Sequence, residues 1–374
     1  MKYHFECVSK GFKDLIEPAA SVSHSFDTSL SFRLFNNAMV APYYEWNHSI
    51  GCVIDENGEV VKDSECLEWK ENAGYYQLDT AESEHKKVIF LGFLLTVFGH
   101  SYTDNLRKLW FLDTEEYRAM TEQGYELVYT TGWNRPIPKN VADVFQLAGI
   151  DITQARHITS LTRFDEVIIP DNCFRATDLG RIYCNEYVDL LNRIKSSIPE
   201  TEDGPSKVYF TRTKYKAASR KEYGEKSIER VFRRMGYAVV APEELPVLEQ
   251  IQLIRGCDCF AATEGSVSHL SLFAKPGTAA AILTKANYLN VHQVMINELA
   301  DLDVTYIEAN HSSRTDKSYP WWGPFYLCIN RYLVRFVGHP ICYLPYWLRP
   351  SYWEYYSGNI LHRVYHRIKR VLHT

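Results

Sequence analysis

The chain has 374 residues, of which 46% are hydrophobic and 23% are charged, and its formal net charge is -5. This length is too great for one ordinary core and predicts two α/β domains. The acidic balance argues against a general nucleic-acid-binding protein, while nine cysteines without a repeated spacing argue against a disulfide framework or a zinc site and favour a reducing compartment.

The first quarter of the chain shows no membrane signal. Residues 1–7 have no apolar core, so we expect no signal peptide or N-terminal anchor. The longest apolar run, 88–98, is shorter than the roughly 20 residues that span a bilayer. We interpret residues 1–86 as a β-rich segment, because Asn57-Gly58 lies between two apolar runs and supplies the positive φ angles of a tight hairpin turn.

A short polar motif, Gly99-His100-x-x-x-Asp104, follows that apolar run. If a helix begins near Gly99, the side chains of His100 and Asp104 lie one turn apart on the same face. A structural role explains the same spacing, since a histidine at a helix start forms a local hydrogen bond and a nearby aspartate compensates the helix dipole. Both interpretations stay open at this point.

The rest of the first half alternates strands with helices. Strands are predicted at 125–129 and 166–169, and helices at 140–148 and 177–198. The stretch 199–205 is polar and rich in residues that break helices and strands. We therefore place the domain boundary there.

The second half contains a longer and more regular alternation. Strands are predicted at 207–211, 237–241, 258–262 and 278–283, and helices at 224–235, 247–255 and 266–273. Such alternation predicts a parallel sheet with right-handed crossovers, and sheets of this kind bind ligands at the carboxyl ends of their strands.

A loop rich in cations follows the first of these strands. It contains Arg212, Lys214, Lys216, Arg220 and Lys221. Arginine forks and lysine ammonium groups stabilise a diphosphate without the help of a metal ion. A solvated surface loop would have the same composition.

A second polar turn, 263–266, follows the third strand. Gly265 lets a ligand approach the backbone, and a helix that begins at Ser266 favours phosphate at its N-terminus. The Glu264 carboxylate can accept hydrogen bonds from ribose or sugar hydroxyls. A role for Ser266 as an N-cap alone explains the same residue. The turn lacks Gly-x-Gly-x-x-Gly, which argues against a nicotinamide dinucleotide site.

The composition changes again over residues 320–374. This segment is rich in Trp and Tyr, and it has seven Arg or Lys residues but a single acid, Glu354. Residues 359–372 have the spacing of an amphipathic helix. Aromatic and basic side chains with an amphipathic end are typical of an interfacial membrane contact. Packing of this extension back across the first domain explains the pattern equally well.

The combination of motifs between residues 88 and 285 resembles glycosyltransferase family 61. The matching stretches are Tyr209-Phe-Thr-Arg212, Arg220-Lys221-Glu-Tyr-Gly-Glu225, Glu264-Gly265-Ser266 and Leu272-Phe273-x-x-Pro-Gly277, with His100-x-x-x-Asp104 similar to the family's His-x-x-x-Glu. Three positions depart from the family pattern, with Lys221 in place of Arg, Gly224 in place of Asn and Asp104 in place of Glu. Lysine keeps the charge of arginine but loses its bidentate fork, and the aspartate is shorter by one methylene.

The resemblance implies an α/β, GT-B-like fold. It would have two Rossmann-like domains that face an interdomain cleft, a β-rich N-terminal segment and a C-terminal aromatic and basic helical extension. The domains would be residues 1–200 on the acceptor side, 206–318 for the nucleotide sugar, and 319–374 as the extension. The one Asp-x-Asp pair, at 301–303, lies in a predicted turn, so we expect no metal there.

The resemblance also implies a reaction and roles for individual residues. The reaction is inverting, metal-independent transfer of a hexose or pentose from a nucleoside-diphosphate sugar, which is a co-substrate, so no cofactor is expected. The implied donor-binding residues are Arg212, Arg220, Lys221, Glu249, Glu264, Gly265, Ser266 and His269, and the implied general base is His100 or Asp104. A structural role for Glu249, orienting an arginine, is the alternative.

We interpret the chain as a bacterial-type, cytoplasmic enzyme of surface polysaccharide or capsule synthesis, at the inner face of the plasma membrane. Its acceptor would be a glycan or a lipid-linked glycan, with no nucleic acid as partner. A Rossmann-type oxidoreductase and a non-catalytic subunit that binds nucleotide sugars or glycans are the alternatives.

Overall fold

The computed structural model describes residues 1–43, 52–64, 78–177, 180–199, 204–216, 222–311, 323–358 and 360. Its strands are β1 (Lys2–His4), β2 (Phe32–Asn36), β3 (Met39–Ala41), β4 (Cys52–Ile54), β5 (Glu82–Leu94), β6 (Glu126–Thr131), β7 (Arg156–His157), β8 (Thr162–Pro170), β9 (Phe174–Thr177), β10 (Gly180–Tyr183), β11 (Lys207–Phe210), β12 (Glu222–Tyr223), β13 (Ala238–Val240), β14 (Cys259–Thr263), β15 (Ala279–Leu283), β16 (Asp303–Ile307) and β17 (Phe325–Tyr326). Its helices are α1 (Lys10–Ala20), α2 (Phe98–Ser101), α3 (Glu115–Glu122), α4 (Lys139–Leu147), α5 (Asn185–Ser197), α6 (Glu225–Arg234), α7 (Val247–Gly256), α8 (Val291–Leu299) and α9 (Arg331–Val337). Residues 350–358 are helical as well. None of the helices in the described residues is long and apolar enough to cross a membrane.

The described chain forms two compact units. The N-terminal unit is His24–Pro199, and the C-terminal unit combines Met1–Ser23 with Glu200–Thr374. The division lies at the start of the predicted link. The prediction that all of the first 200 residues form one domain is wrong for residues 1–23, because β1 pairs in parallel with β16. His4 Nε2 also lies 2.7 Å from Asp303 Oδ1, which ties this strand to the far end of the chain.

The C-terminal unit contains a parallel sheet in the order β1-β16-β15-β14-β11-β13. The four strands predicted between residues 207 and 283 are β11, β13, β14 and β15, and all of them pair in parallel, as predicted. Because β13 lies on one side of β11 and β14 lies on the other, the strand order reverses between β11 and β14. At such a switch point the carboxyl ends of the two strands border a crevice.

Helix α6 shows how the sequence builds this unit. Ile228, Val231 and Phe232 recur at helical spacing and are buried, while Arg230 and Arg234 are exposed. Each buried side chain of this size contributes roughly 1.5–3 kcal/mol of hydrophobic free energy. The Phe232 ring stacks on Tyr209 of β11, with ring centroids 4.6 Å apart, so α6 is fixed directly against the strand that carries Arg212 at its end.

The N-terminal unit contains a mixed sheet. Strands β8, β5, β6 and β7 are parallel neighbours in that order, and β2, β3 and β4 add antiparallel pairs. The predicted hairpin turn is confirmed, since Gly58 has φ +85° and Ile54 bridges Val60. The predicted helix 177–198 is wrong over its first third. Residues up to Tyr183 form the antiparallel pair β9–β10, and Gly180, with φ +131°, cannot continue a helix.

The described residues of the predicted C-terminal extension, 323–358, belong to the C-terminal unit. Strand β17 pairs in parallel with β12. Leu327, Ile329 and Leu333 are buried in the same core as Ile228. Of the predicted amphipathic helix 359–372, all residues but Ile360 lie outside the described part of the chain.

Candidate active site

His100 and Asp104 form a hydrogen-bonded pair in the N-terminal unit. His100 Nδ1, in helix α2, lies 2.7 Å from Oδ2 of Asp104, the first residue of the 3₁₀ turn that follows. Asp104 is fully buried, and it also accepts a hydrogen bond from Thr103 Oγ1 at 2.9 Å, with Arg181 Nε 3.7 Å from its other oxygen. The His100 side chain, by contrast, keeps 23% of its surface exposed.

This geometry separates the two roles that the sequence left open. The Asp104 carboxylate is fully buried, whereas the imidazole of His100 is partly exposed, so His100 is the more accessible of the two side chains. When the imidazole donates its Nδ1–H to Asp104, Nε2 is left as the proton acceptor. The hydrogen bond by itself also agrees with a structural role, and it is the partial exposure of the His100 side chain that favours a chemical role. Of the two candidate bases, His100 is the one the geometry favours.

Side-chain hydrogen bonds hold this motif at the end of β5. The Asn105 amide accepts the N–H of Leu95 at 2.8 Å and donates to the Leu95 carbonyl at 2.9 Å. From α5, the Tyr187 hydroxyl donates to the carbonyl of Tyr102 at 2.8 Å. Residues 98–106 are thus a short helical turn followed by a 3₁₀ turn, not the longer helix that the sequence predicted.

Two buried cations, which sequence reasoning missed, support the same motif. Arg107 is buried, and its Nη2 donates to the Phe93 carbonyl at 3.2 Å. Lys108 Nζ donates to the Pro170 carbonyl, and burial holds the pKa of Lys108 well below its usual value. Gly92 leaves room for the guanidinium, because a Cβ at that position would lie 3.0 Å from Arg107 Nη2. The sequence did contain a signal for their burial, because two adjacent cations stand among apolar residues.

In the C-terminal unit, Glu222 is paired with two cations. Its carboxylate accepts hydrogen bonds from Arg212 Nε at 3.0 and 3.1 Å and from Lys285 Nζ at 3.2 Å. All three side chains are largely buried. Burial alone would raise the pKa of Glu222, but Lys285 and Arg212 outweigh it, and the pKa is lowered overall. Because the three side chains carry two positive charges and one negative charge, they have a net charge of about +1.

The turn after β14 lies beside this group. Gly265 has φ +128°, and a Cβ there would lie 3.4 Å from Lys285 Nζ. Lys285 follows β15, the strand next to β14. Lys285 therefore lies between the end of the cationic loop, where it contacts Glu222, and the polar turn 263–266, where it lies against Gly265. Sequence reasoning did not select Lys285, although its position just after a parallel strand was a signal.

Glu264 is a buried carboxyl group at the end of β14. Its Oε1 accepts the backbone N–H of Asn290 at 3.0 Å. Burial raises the pKa of Glu264 to about 7, although the Asn290 hydrogen bond and the charge of Lys285 act in the opposite direction. The side chain is therefore an internal support of the turn as well as a predicted donor contact.

Glu225, the first residue of α6, fixes the start of the cationic loop. It accepts hydrogen bonds from the Tyr209 hydroxyl at 2.9 Å and from the Arg212 N–H at 3.1 Å. Burial raises its pKa to about 7, and nearby Glu222 adds to this effect. The preceding Gly224 has φ +85°, and a Cβ there would lie 2.0 Å from the Leu327 carbonyl oxygen. This contact explains why the chain has glycine where the family pattern has asparagine.

The helix predicted at 266–273 is a 3₁₀ turn, Ser268–Phe273. Ser268 closes it, since the Gly265 N–H donates to Ser268 Oγ at 3.1 Å, and the same oxygen lies 2.6 Å from Gln293 Oε1. No N-cap bond from Ser266 is therefore needed at this turn. His269 is buried, and its ring stacks on that of His292 at 5.6 Å.

The remaining predicted donor residues lie elsewhere or outside the described chain. Glu249 is exposed on the first turn of α7. Arg220 and Lys221 lie outside the described residues. The roles of these three residues, and of Ser266 and His269, remain predictions.

Comparison with known proteins places this geometry in context. A family model described as Glycosyltransferase 61 matches residues 98–281. No curated protein matches the chain. The matched stretch begins two residues before His100 and includes the Arg212 loop and the turn at Glu264 and Gly265.

Proposed function

We propose that the chain is a glycosyltransferase and that it transfers a sugar from a nucleoside-diphosphate sugar to a glycan with inversion, and the family model that matches residues 98–281 supports the first part of this proposal. The observation that carries this proposal is that Arg212 and Lys285, which follow the parallel strands β11 and β15, both pair with Glu222. A parallel sheet with this strand order binds its ligands at the carboxyl ends of its strands.

The group suits the leaving diphosphate. As the bond between sugar and diphosphate breaks, negative charge grows on the departing phosphate and positive charge on an oxocarbenium-like ring. Arg212 and Lys285 supply two cations against the single carboxylate of Glu222, and Gly265 presents no side chain that would keep a phosphate away from Lys285. Fixed cations of this kind replace the charge that a metal ion supplies in other enzymes, so we propose metal-independent transfer.

His100 is the proposed general base. An inverting transfer occurs in one displacement, for which the acceptor hydroxyl must lose its proton as it attacks. Nε2 of His100 would take that proton, and the buried carboxylate of Asp104 would stabilise the imidazolium that forms. Arg220, Lys221, Glu249, Ser266 and His269 remain in the proposal as donor-site residues.

The wider setting is part of the same proposal. We propose a GT-B architecture in which the C-terminal unit binds the donor and the N-terminal unit supplies the base. The acceptor is a growing glycan, or a lipid-linked one, of a bacterial surface polysaccharide such as a capsule. The enzyme would act in the cytoplasm at the inner face of the plasma membrane, without a cofactor and without nucleic acid. The match to the glycosyltransferase family model disfavours the alternative of a Rossmann-type oxidoreductase. Measured turnover would distinguish an enzyme from the other alternative, a non-catalytic subunit.

The test begins with thermal-shift screening against nucleotide sugars, followed by product analysis with the best donor. Arg212→Ala should weaken donor binding, whereas His100→Ala should abolish transfer and leave donor binding intact. A matched control is His85→Ala, because His85 also pairs with an aspartate, Asp165, at 3.2 Å but is 93% exposed. Native transfer rates in both the Arg212 and His100 variants would refute the assigned site, and a loss of rate in EDTA would refute metal independence.

A further inference from the structure

A basic cavity lies within the C-terminal unit, beyond the group at Arg212. Its volume is about 720 Å³, and its lining includes residues of α6, residues 341–344 and 349–351, and Glu354. Arg212 and Glu222 line one part of it. Lys226, Arg230 and Arg234 follow along α6, one turn apart, and Arg349 belongs to the wall formed by the C-terminal segment.

The cations of the cavity are not neutralised by its acids. Among the described residues, Lys226, Arg230, Arg234 and Arg349 form no ion pair. Of the acids in the lining, Glu222 is already bound to Arg212 and Lys285. Glu225 is buried against Tyr209, and Glu354 is the third acid of the wall. The cavity therefore favours an anion.

An exposed apolar ridge adjoins this cavity. We use the term aromatic ridge for Tyr343, Leu344, Trp347, Leu348 and Trp353, whose exposed fractions lie between 38% and 56%. Tyr343 and Leu344 also line the cavity. Exposed apolar side chains grouped this closely mark an interaction surface.

Hydrogen bonds and ring contacts fix the backbone of the aromatic ridge. Trp353 Nε1 donates to the Trp347 carbonyl at 2.9 Å, and Arg349 Nε donates to the Leu344 carbonyl at 2.9 Å. Beneath it, Tyr326, Tyr346, Tyr352 and Tyr355 pack as a cluster of rings. Because the backbone of this segment is fixed by these contacts, the ridge presents its apolar side chains without having to order them on binding.

Charge identifies the kind of partner. Trp and Tyr favour the interface of a lipid bilayer, and basic side chains beside them are attracted by anionic lipids. The four cations without an ion pair line the same cavity as Tyr343 and Leu344 of the ridge, and the sequence that follows, 361–374, adds four more Arg or Lys residues and no acid. A protein partner would need a matching acidic surface, whereas an anionic membrane supplies that charge generally.

We propose that this face docks on an anionic membrane, with the aromatic ridge in the bilayer interface and the cavity cations on the phosphate of a lipid headgroup. The inference rests on the membrane location in the proposed function and adds the surface that binds and the class of lipid that it binds, whichever sugar is transferred. It also implies that the lipid phosphate and the donor group at Arg212 share one cavity.

The test measures co-sedimentation of the full chain with two kinds of vesicle, phosphatidylcholine alone and phosphatidylcholine mixed with phosphatidylglycerol. We expect binding to the mixed vesicles only. The double variant Arg230→Ala/Arg234→Ala should bind the mixed vesicles about 30-fold more weakly, since each Arg or Lys near an anionic surface strengthens binding about fivefold. The variant Trp347→Ala/Trp353→Ala should lose about tenfold or more.

Matched controls separate specific from general effects. Arg233 is exposed on α6 but does not line the cavity, and Trp133 is 45% exposed in the N-terminal unit. Arg233→Ala and Trp133→Ala should bind vesicles like the wild type, and thermal melting should show that every variant is folded.

Three outcomes would overturn the proposal. They are equal binding to the two kinds of vesicle, unchanged binding by either double variant, and a loss in the Arg233 control as large as in the Arg230/Arg234 variant. Inorganic pyrophosphate provides a separate arm. If Arg230→Ala/Arg234→Ala weakens pyrophosphate binding but leaves vesicle binding intact, the cavity serves the donor and the proposal is wrong.

Discussion

Lys285→Met provides the most direct test of the donor site, because it removes one cation and nearly conserves side-chain volume. Lys285 Nζ lies 3.4 Å from the position that a Cβ of Gly265 would take. A phosphate oxygen in that space would attract the ammonium by about 5 kcal/mol at an effective dielectric constant near 20, before desolvation and the opposing charge of Glu222 are counted. Hydrogen bonds between charged groups retain about 1.5–3 kcal/mol after these costs. We therefore expect the dissociation constant for uridine or cytidine diphosphate to rise about 10- to 150-fold.

Isothermal titration with both diphosphates measures this effect. Lys285→Arg keeps the charge and should retain most of the affinity. Lys207→Met is a matched control, since Lys207 is exposed at the opposite end of β11 from Arg212. If folded Lys285→Met binds both diphosphates as tightly as the wild type does, the donor phosphate does not contact Lys285 and the reasoning fails.

Three further predictions concern the two units separately. Asp104→Asn should lower kcat about 10- to 150-fold, through loss of a charge-assisted hydrogen bond, and leave donor affinity unchanged; Asp165→Asn should leave kcat unchanged. Gly224→Ala should lower the free energy of unfolding in urea by at least about 4 kcal/mol, because the strain at positive φ and the clash with the backbone add together. Gly124→Ala, where φ is +84° and the space around is open, should lower it by about 1–2 kcal/mol. The raised pKa of Glu264, about 7 against an ordinary 4.5, means that the folded state holds a proton that the unfolded state releases, so stability falls as pH rises through that range. Between about pH 5 and pH 8, the free energy of unfolding measured in urea should fall by about 3 kcal/mol less in Glu264→Gln than in the wild type. An identical fall in the variant would contradict the assignment.

Features that depend on neighbouring residues could be predicted from the sequence. The spacing of Ile228, Val231 and Phe232 predicts the buried face of α6, and the structure confirms it. Apolar runs separated by such helices predict parallel strands, which β11, β13, β14 and β15 are. The spacing of four residues also predicts the pairing of His100 with Asp104, and the pair forms although α2 ends at Ser101 and Asp104 begins a separate 3₁₀ turn.

Features that depend on distant residues could not be predicted in this way. Strand β1 pairs with β16, and its His4 meets Asp303, 299 positions later. Lys285 follows β15 of the parallel sheet, whereas Glu222 begins β12 of a separate two-stranded sheet, and the two side chains meet although they are 63 positions apart. Nothing in either segment specifies the other. The helix expected at 177–198 failed for a local reason, since Gly180 at positive φ separates its first residues from α5.

The buried carboxyl groups make sense as a means of keeping the donor site positive. Arg212 and Lys285 face three carboxyl groups, Glu222, Glu225 and Glu264. If all three were ionised, the charge at this edge would be about -1 and would repel a diphosphate. Burial raises the pKa of Glu225 and of Glu264 to about 7, whereas the pKa of Glu222 is lowered. Below pH 7, Glu225 and Glu264 are therefore mostly protonated and Glu222 alone is ionised, so the balance of two cations and one carboxylate is positive. In that pH range the two protonated carboxyl groups organise the loops as hydrogen-bonding groups without cancelling the charge that the leaving group needs.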